Sequence, residues 1–235
     1  MWFAKAVFPS GPGYLCVGLL ALQVVGAVQR GAVEHGTLAV VREERSGDTD
    51  DDVLQYVGAW LLDRVEGSEK EDVLKYLGAS MMERKAASSF SYGAKRLRMV
   101  VKHPKPTVLQ IYSITPEVKV GFVKRKEEIN LQNLILGGVA NNGEDKNMGG
   151  KITTFVTKKD NTDLLFRTEF SGKVMEWTWK VGPGGGEISV EARFGDRLDK
   201  PEPPMVQIYK RDPEVGDYRD WEPTSEVRII QSGLA

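Results

Sequence analysis

Asp163, Glu169, Glu176, Glu187 and Glu191 are carboxylates of the strand-rich part of the chain, and acid–base chemistry would fall to them. General acid–base catalysis needs groups that converge on one reacting atom. These residues are scattered along separate strands instead of being paired around a nucleophile. The two histidines, His35 and His103, lie far apart without metal-ligand spacing, and a Ser-His-Asp arrangement would leave His103 to do everything. His103-Pro104-Lys105-Pro106 reads as a turn. The single cysteine, Cys16, can make no disulfide or thiolate metal site within the chain. The glycine run at 182–186 lacks the lysine of a phosphate loop and opens no helix, so it too reads as a turn. No catalytic residue, metal or cofactor is expected, and the chain reads as a non-enzyme. A net charge of −1 removes nucleic acid from the expected partners, and the clusters Lys95-Arg96-Leu97-Arg98 and Lys124-Arg125-Lys126 read as solvated strand ends or turns.

With 41% hydrophobic and 28% charged residues, the chain can form a globular domain with a real core. Its front end stands outside that core. Residues 14–28 are an apolar run with Gln23 as the one polar member, Lys5 upstream and Val25-Gly26-Ala27 at the exit. This is the pattern of a signal peptide over residues 1–27, with an uncleaved membrane anchor as the alternative. The run is short beside the ~20 apolar residues of a spanning helix. The expected location is the secretory pathway, secreted or lumenal. Residues 28–52 are polar and acidic and read as a disordered linker, having too little apolar surface to offset the cost of ordering.

From residue 53 the pattern changes. Tyr56-Val57-Gly58-Ala59-Trp60-Leu61-Leu62 is a short strand. Ser68 and Glu71 have capping-box spacing for a first helix, with Val73, Leu74 and Leu77 on one face until Gly78. A second helix is expected over 79–88. Strands follow at 98–102, 107–114, 118–124, 128–136, 151–158, 163–169, Lys173–Val181, Glu187–Phe194 and Met205–Arg211, separated by turn residues. A loop rich in Gly, Asn and Asp precedes the strand at 151–158. Met175, Trp177, Trp179 and Val181 share one strand face, as do Ile188, Val190, Ala192 and Phe194. A sheet this long with one apolar face must cover it, and closing on itself also removes the edges. The expected fold is all-β: a closed, ten-stranded, up-and-down antiparallel β-barrel over residues 53–211, with a two-helix lid after the first strand. Residues 212–235 are a C-terminal extension.

This order of features resembles the intracellular lipid-binding proteins, the fatty-acid-binding and cellular retinol-binding proteins of the calycin superfamily. Tyr56-Val57-Gly58-Ala59-Trp60 is similar to their opening strand. Asp72-Val73-Leu74-Lys75-Tyr76-Leu77-Gly78 is similar to the first lid helix, and Glu127-Glu128-Ile129-Asn130-Leu131 to a mid-chain strand. Glu176-Trp177-Thr178-Trp179-Lys180 and Gln207-Ile208-Tyr209-Lys210-Arg211 look like the last part of the retinol-binding branch.

In that family two interior side chains and a tyrosine meet the ligand's polar head. The resemblance places Gln207 and Tyr209 at two of those positions and Trp179 at the third, where the family has Arg or Gln. Neutral groups there favour a neutral or alcohol-like head over a free fatty acid, whose carboxylate an arginine would bind with charge-assisted bonds. Trp177 and Met175 would line the pocket. Val73, Leu74, Leu77, Met81 and Met82 would form a portal, although their spacing alone equally fits plain core packing. The front end departs from the family, which is usually cytosolic.

The expected function is therefore carriage of a small hydrophobic ligand, with the lid helices as a surface for transient membrane contact. The alternative is a structural or interaction protein whose barrel is filled by its own side chains and whose C-terminal extension docks a protein partner.

Overall fold

Period-2 alternation builds the sheet. In Glu187–Phe194 the buried side chains are Ile188, Val190, Ala192 and Phe194, and those between them are partly exposed. Leu164–Phe170 repeats the pattern with Leu164, Phe166, Thr168 and Phe170. Each strand therefore has one face that must be covered. The computed structural model describes residues 53, 55–120, 123–145, 150–159, 163–215 and 217–233. The signal-peptide and linker readings, on residues 1–27 and 28–52, lie outside the described residues.

The elements are β1 (Gly58–Glu66), α1 (Lys70–Tyr76), α2 (Met81–Ser89), β2 (Arg98–Lys105), β3 (Val108–Thr115), β4 (Val118–Val120), β5 (Val123–Arg125), β6 (Glu128–Ile135), β7 (Ala140–Asp145), β8 (Gly150–Lys158), β9 (Leu164–Phe170), β10 (Lys173–Val181), β11 (Glu187–Phe194), β12 (Met205–Arg211) and β13 (Val227–Ser232). A closed barrel runs β1-β12-β11-β10-β9-β8-β7-β13-β6-β3-β2 and back to β1. The barrel with a two-helix insert after its first strand is thus the expected architecture.

Four details of the strand reading need correction. The barrel has eleven strands among the described residues, where ten were expected. Of residues 118–124, expected as one barrel strand, 118–120 and 123–124 fall in a separate two-stranded sheet of β4 and β5. The Gly/Asn/Asp-rich stretch taken as a loop contains β7, which is held by its backbone pairing to β8 and not by β-forming side chains. The eleventh strand, β13, comes from the C-terminal extension. It runs antiparallel to β7 but parallel to β6, so the barrel is not wholly antiparallel.

The helices cap one end. Val73, Leu74 and Leu77 are buried against the strands together with Ala87 of α2. Tyr76 fastens α1 to the barrel. Its hydroxyl accepts from Val174 N and donates to Val174 O, each at 3.1 Å, and its ring packs on Phe170 and Phe194 at 6.1 and 4.7 Å. The expected capping box at Ser68 and Glu71 does not form. Glu69 occupies the N-cap of α1 without a side-chain bond and instead pairs with Arg197 at 2.8 Å. The capping box is on α2, where Ser80 and Glu83 exchange side-chain and backbone bonds.

The opposite end is closed by the chain just before β1. Tyr56 OH donates to Trp179 O, and Trp60 Nε1 donates to Tyr56 O, both at 2.9 Å. The Arg211 guanidinium lies 3.8 Å over the Trp60 ring and donates to Val57 O at 2.8 Å. Gly58 makes that closure possible, because a Cβ there would fall 1.8 Å from Arg211 Nη1.

Residues after β12 wrap the outside of β2, β3 and β6. Val215, Tyr218, Trp221 and Val227 cover Val100, Ile114 and Ile129, which explains why nearly all of β6 is buried on both faces. The wrap is anchored at Asp212. Its carboxylate pairs with Arg98 at 2.9 Å and accepts from Glu214 N at 3.0 Å, while its own N–H donates to Ala59 O at 3.0 Å. Burial raises the Asp212 pKa, with Arg98 and a backbone N–H opposing the rise. Arg98→Met leaves this carboxylate without its cation. We expect a loss of about 2 kcal/mol at pH 7, below the fully buried case because Arg98 is 33% exposed. An Asp with a raised folded pKa destabilises the fold above that pKa. The deficit against wild type should therefore shrink as acidification protonates Asp212, which urea unfolding at pH 7 and pH 4 checks.

Candidate functional site

The inward faces converge on an apolar, aromatic interior. Trp60, Phe166, Phe170, Trp177, Trp179 and Phe194 are all buried there. Phe166 and Trp179 stack with ring centroids 4.8 Å apart, and Tyr56 tilts against Trp179 at 6.0 Å. Met99, Met175 and Met205 fill the space between, each at most 3% exposed. Thioether side chains adapt their shape more readily than branched ones.

Register locates the sequence-predicted site residues. Trp179 lies opposite Val190, and Val190 opposite Gln207, so Trp179 and Gln207 occupy one row two strands apart. With neighbouring strands ~4.8 Å apart, their backbones are separated by about 10 Å. Tyr209 lies one step further from the lid, opposite Ile188. Trp177 and Met175 follow along β10 toward α1. The five residues Met175, Trp177, Trp179, Gln207 and Tyr209 thus all point into the barrel and are buried. The five lid residues do not stay together. Val73, Leu74 and Leu77 are core, whereas Met81 and Met82 are 60% and 56% exposed.

The polar groups of this end are neutral. Tyr209 OH donates to Gln207 Oε1 at a long 3.4 Å. Burial pushes the Tyr209 hydroxyl far above the ordinary phenol range, so it remains a donor throughout the physiological range. The indole Nε1 of Trp179, fully buried, finds no hydrogen-bond partner among the described residues. A buried donor left unmade costs roughly 1–3 kcal/mol. This N–H, the Gln207 amide and the Tyr209 hydroxyl offer donors and an acceptor with no formal charge.

A second polar group lies across the barrel, and the sequence reading missed it. Thr154 and Thr168 hydroxyls bond at 2.9 Å. Gln132 Nε2 donates to Gln231 Oε1 at 3.0 Å, and Gln231 Nε2 donates to Asn141 O at 2.7 Å. Gln132 Oε1 is buried without a partner among the described residues. The signal available in the sequence was polar side chains at inward positions of β6, β8 and β9. Gln231 could not be found that way, because its strand was not recognised.

The interior is closely filled. Trp60, Phe166, Met175, Trp179, Ile188 and Val190 have 0% accessible surface, so other side chains and not a water-sized void cover them.

Comparison with protein-family models gives no match, and comparison with curated protein sequences gives none. Solved structures do match. A variant of the fluorescent protein UnaG superposes with a TM-score of 0.50 at 14% identity, covering 69% of this chain and 99% of its own. The likeness is one of fold, a closed β-barrel with two helices after its first strand. Fatty-acid-binding protein 1 of Echinococcus granulosus gives a TM-score of 0.46 at 14% identity, over 67% of this chain and 98% of that one. A secretory abundant heat soluble protein of Ramazzottius varieornatus gives 0.48 at 16% identity, over 67% and 96%. At 14% identity the first of these likenesses establishes the fold alone. No helix among the described residues is long and apolar enough to cross a membrane.

Burial has a spectroscopic consequence at this closed end. Of the seven tyrosines, Tyr56 and Tyr209 have pKa values pushed well above 10 by burial, Tyr56 also by Asp163. In an alkaline titration followed by phenolate absorbance, both should stay protonated until the protein unfolds. The double variant Tyr56→Phe with Tyr209→Phe should lose amplitude from the late, unfolding-linked step and none from the early one.

Proposed function

We propose that the barrel binds and carries a small hydrophobic molecule with a neutral, hydrogen-bonding head. The observation that carries this reading is the unpartnered Trp179 N–H in the same row as Gln207, beside Tyr209, at the far end of an aromatic interior. Ligand sites are mostly apolar with a few placed polar groups. An alcohol or carbonyl oxygen accepting from Trp179 would satisfy a bond that the protein alone leaves unmade. Trp177 and Met175 would flank the apolar tail. Burial of that tail drives binding at roughly 25 cal/mol per Å². Because the interior is closely filled, loading requires side chains to move, and Met99, Met175 and Met205 are the ones suited to it.

Val73, Leu74 and Leu77 form the inner face of the cover in this reading, with Met81 and Met82 on its rim as a surface for transient membrane contact. The mechanism is carriage without a chemical step. The N-terminal apolar run directs the carrier to the secretory pathway.

A second reading is favoured by one observation, the absence of accessible surface on Phe166, Met175, Trp179 and their neighbours. In it the barrel is self-filled and structural, and a partner docks elsewhere. The two readings separate by experiment. The purified full chain is extracted with organic solvent and the extract examined by mass spectrometry, then titrated with long-chain alcohols, retinoids and fatty acids. The carrier reading expects a bound lipid and preference for the alcohol over the matching acid. Gln207→Leu should weaken the alcohol about tenfold, the equivalent of one hydrogen bond of ~1.4 kcal/mol. An empty extract together with no binding of any of these lipids gives the structural reading the lead.

A further inference from the structure

The barrel wall is not equally strong all round. β6 and β7, consecutive in the chain, share no backbone ladder; β13 stands between them. The direct tie between them is at one end, where the Asn141 side chain accepts from Ile135 N at 2.6 Å and donates to Ile135 O at 3.1 Å. It meets β7 at Gln231 opposite Gly143 and Ser232 opposite Asn142, and its register with β6 is broken by an irregularity between Ile229 and Gln231. Ile229 is 55% exposed. The side chains facing this seam are amides: Gln132, Asn141 and Gln231.

Opening the seam and opening the lid differ in kind. Lifting the helices exposes Val73, Leu74, Leu77 and Ala87 and breaks the Tyr76 clasp on β10. The cost of exposing apolar area is not recovered from water. Lifting β13 mostly exchanges amide and backbone bonds for bonds to water, so that each bond costs only its net worth of roughly 0.5–1.5 kcal/mol. It also lets water reach Gln132 Oε1, which is unpartnered in the closed wall. The apolar side chains given up are the buried Ile230 and the partly buried Val227. The geometry also leaves β13 no slack on its β7 side, since a Cβ at Gly143 would fall 2.3 Å from Ile230 O.

We propose that β13 is a hinged stave, and that its release opens a slot between β6 and β7 through which the hydrophobic ligand reaches the interior. The inference rests on the carrier reading above. The slot opens beside Gln132 and Asn141, so a ligand's polar group passes amides on its way in instead of the apolar inner face of the lid.

The test uses the full chain with Cys16→Ser, so that introduced cysteines are the only thiols. Asn142→Cys with Ser232→Cys locks β13 to β7 when oxidised. Gly143→Val forces the two strands apart. The probe is the neutral dye Nile red, whose binding and release are followed by stopped-flow fluorescence. The stave predicts that oxidation slows both rates at least tenfold at unchanged affinity, that reduction restores them, and that Gly143→Val speeds both. Hydrogen exchange supplies a readout without ligand, with the amides of β13 exchanging at least a hundredfold faster than those of β10. Dye rates indifferent to the lock overturn the stave and leave the carrier reading intact, as does β13 protection equal to that of β10. A reduced, unlocked chain that binds no dye overturns the carrier reading and the stave with it.

Discussion

Everything in this molecule depends on giving each strand a neighbour on both sides. An unpaired strand edge leaves backbone donors and acceptors without partners and invites other chains. Ten strands drawn from residues 58–211 leave that requirement unmet at one place, between β6 and β7. β13 meets it by running parallel to β6, a direction no hairpin connection could give, after the chain has crossed the outside of the barrel through Val215, Tyr218 and Trp221. The wrap and the stave are thus one device. The Arg98–Asp212 pair fixes where the wrap begins, and Gln231 with Asn141 fixes where it ends.

The closed wall determines the character of the interior. At the end sealed by Tyr56, Trp60 and Arg211, large rings exclude water and hold Tyr209 as a neutral phenol. At the β13 side the interior is amide-rich. An arginine at the Trp179 position would have imposed a charge on the first region. The indole places a neutral donor there instead, with no partner of its own among the described residues.

The sequence revealed most where periodicity and burial coincide. In β9, β10 and β11 the alternation of Phe166, Trp177, Trp179, Ile188 and Val190 carried both strand and facing, because one face of each strand is core. The inward placement of Gln207 and Tyr209 followed from that and from the family resemblance. β7 was illegible because Ala140-Asn141-Asn142-Gly143 has no strand propensity, and its conformation is imposed by β8 and β13. β13 itself shows a short apolar core, Val227-Arg228-Ile229-Ile230, but nothing local says that it belongs between two distant strands. The helix cap was misplaced for a related reason: Ser68 has the right spacing from Glu71, yet Glu69 takes the cap position and answers to Arg197, a partner supplied by the far side of the chain.

The position of β13 in the chain also bears on how the protein is made. A polypeptide emerging residue by residue exposes β6 and β7 long before their shared neighbour exists. During that interval two strand edges face the surrounding solution, one of them amide-lined and the other flanked by Ile129 and Leu131. Pairings between segments so far apart are slow to form because a long loop must close first. The stage most vulnerable to aggregation is therefore the one at which β6 and β7 have emerged and β13 has not, and a nascent-chain chaperone would have most to do just before residue 227 emerges.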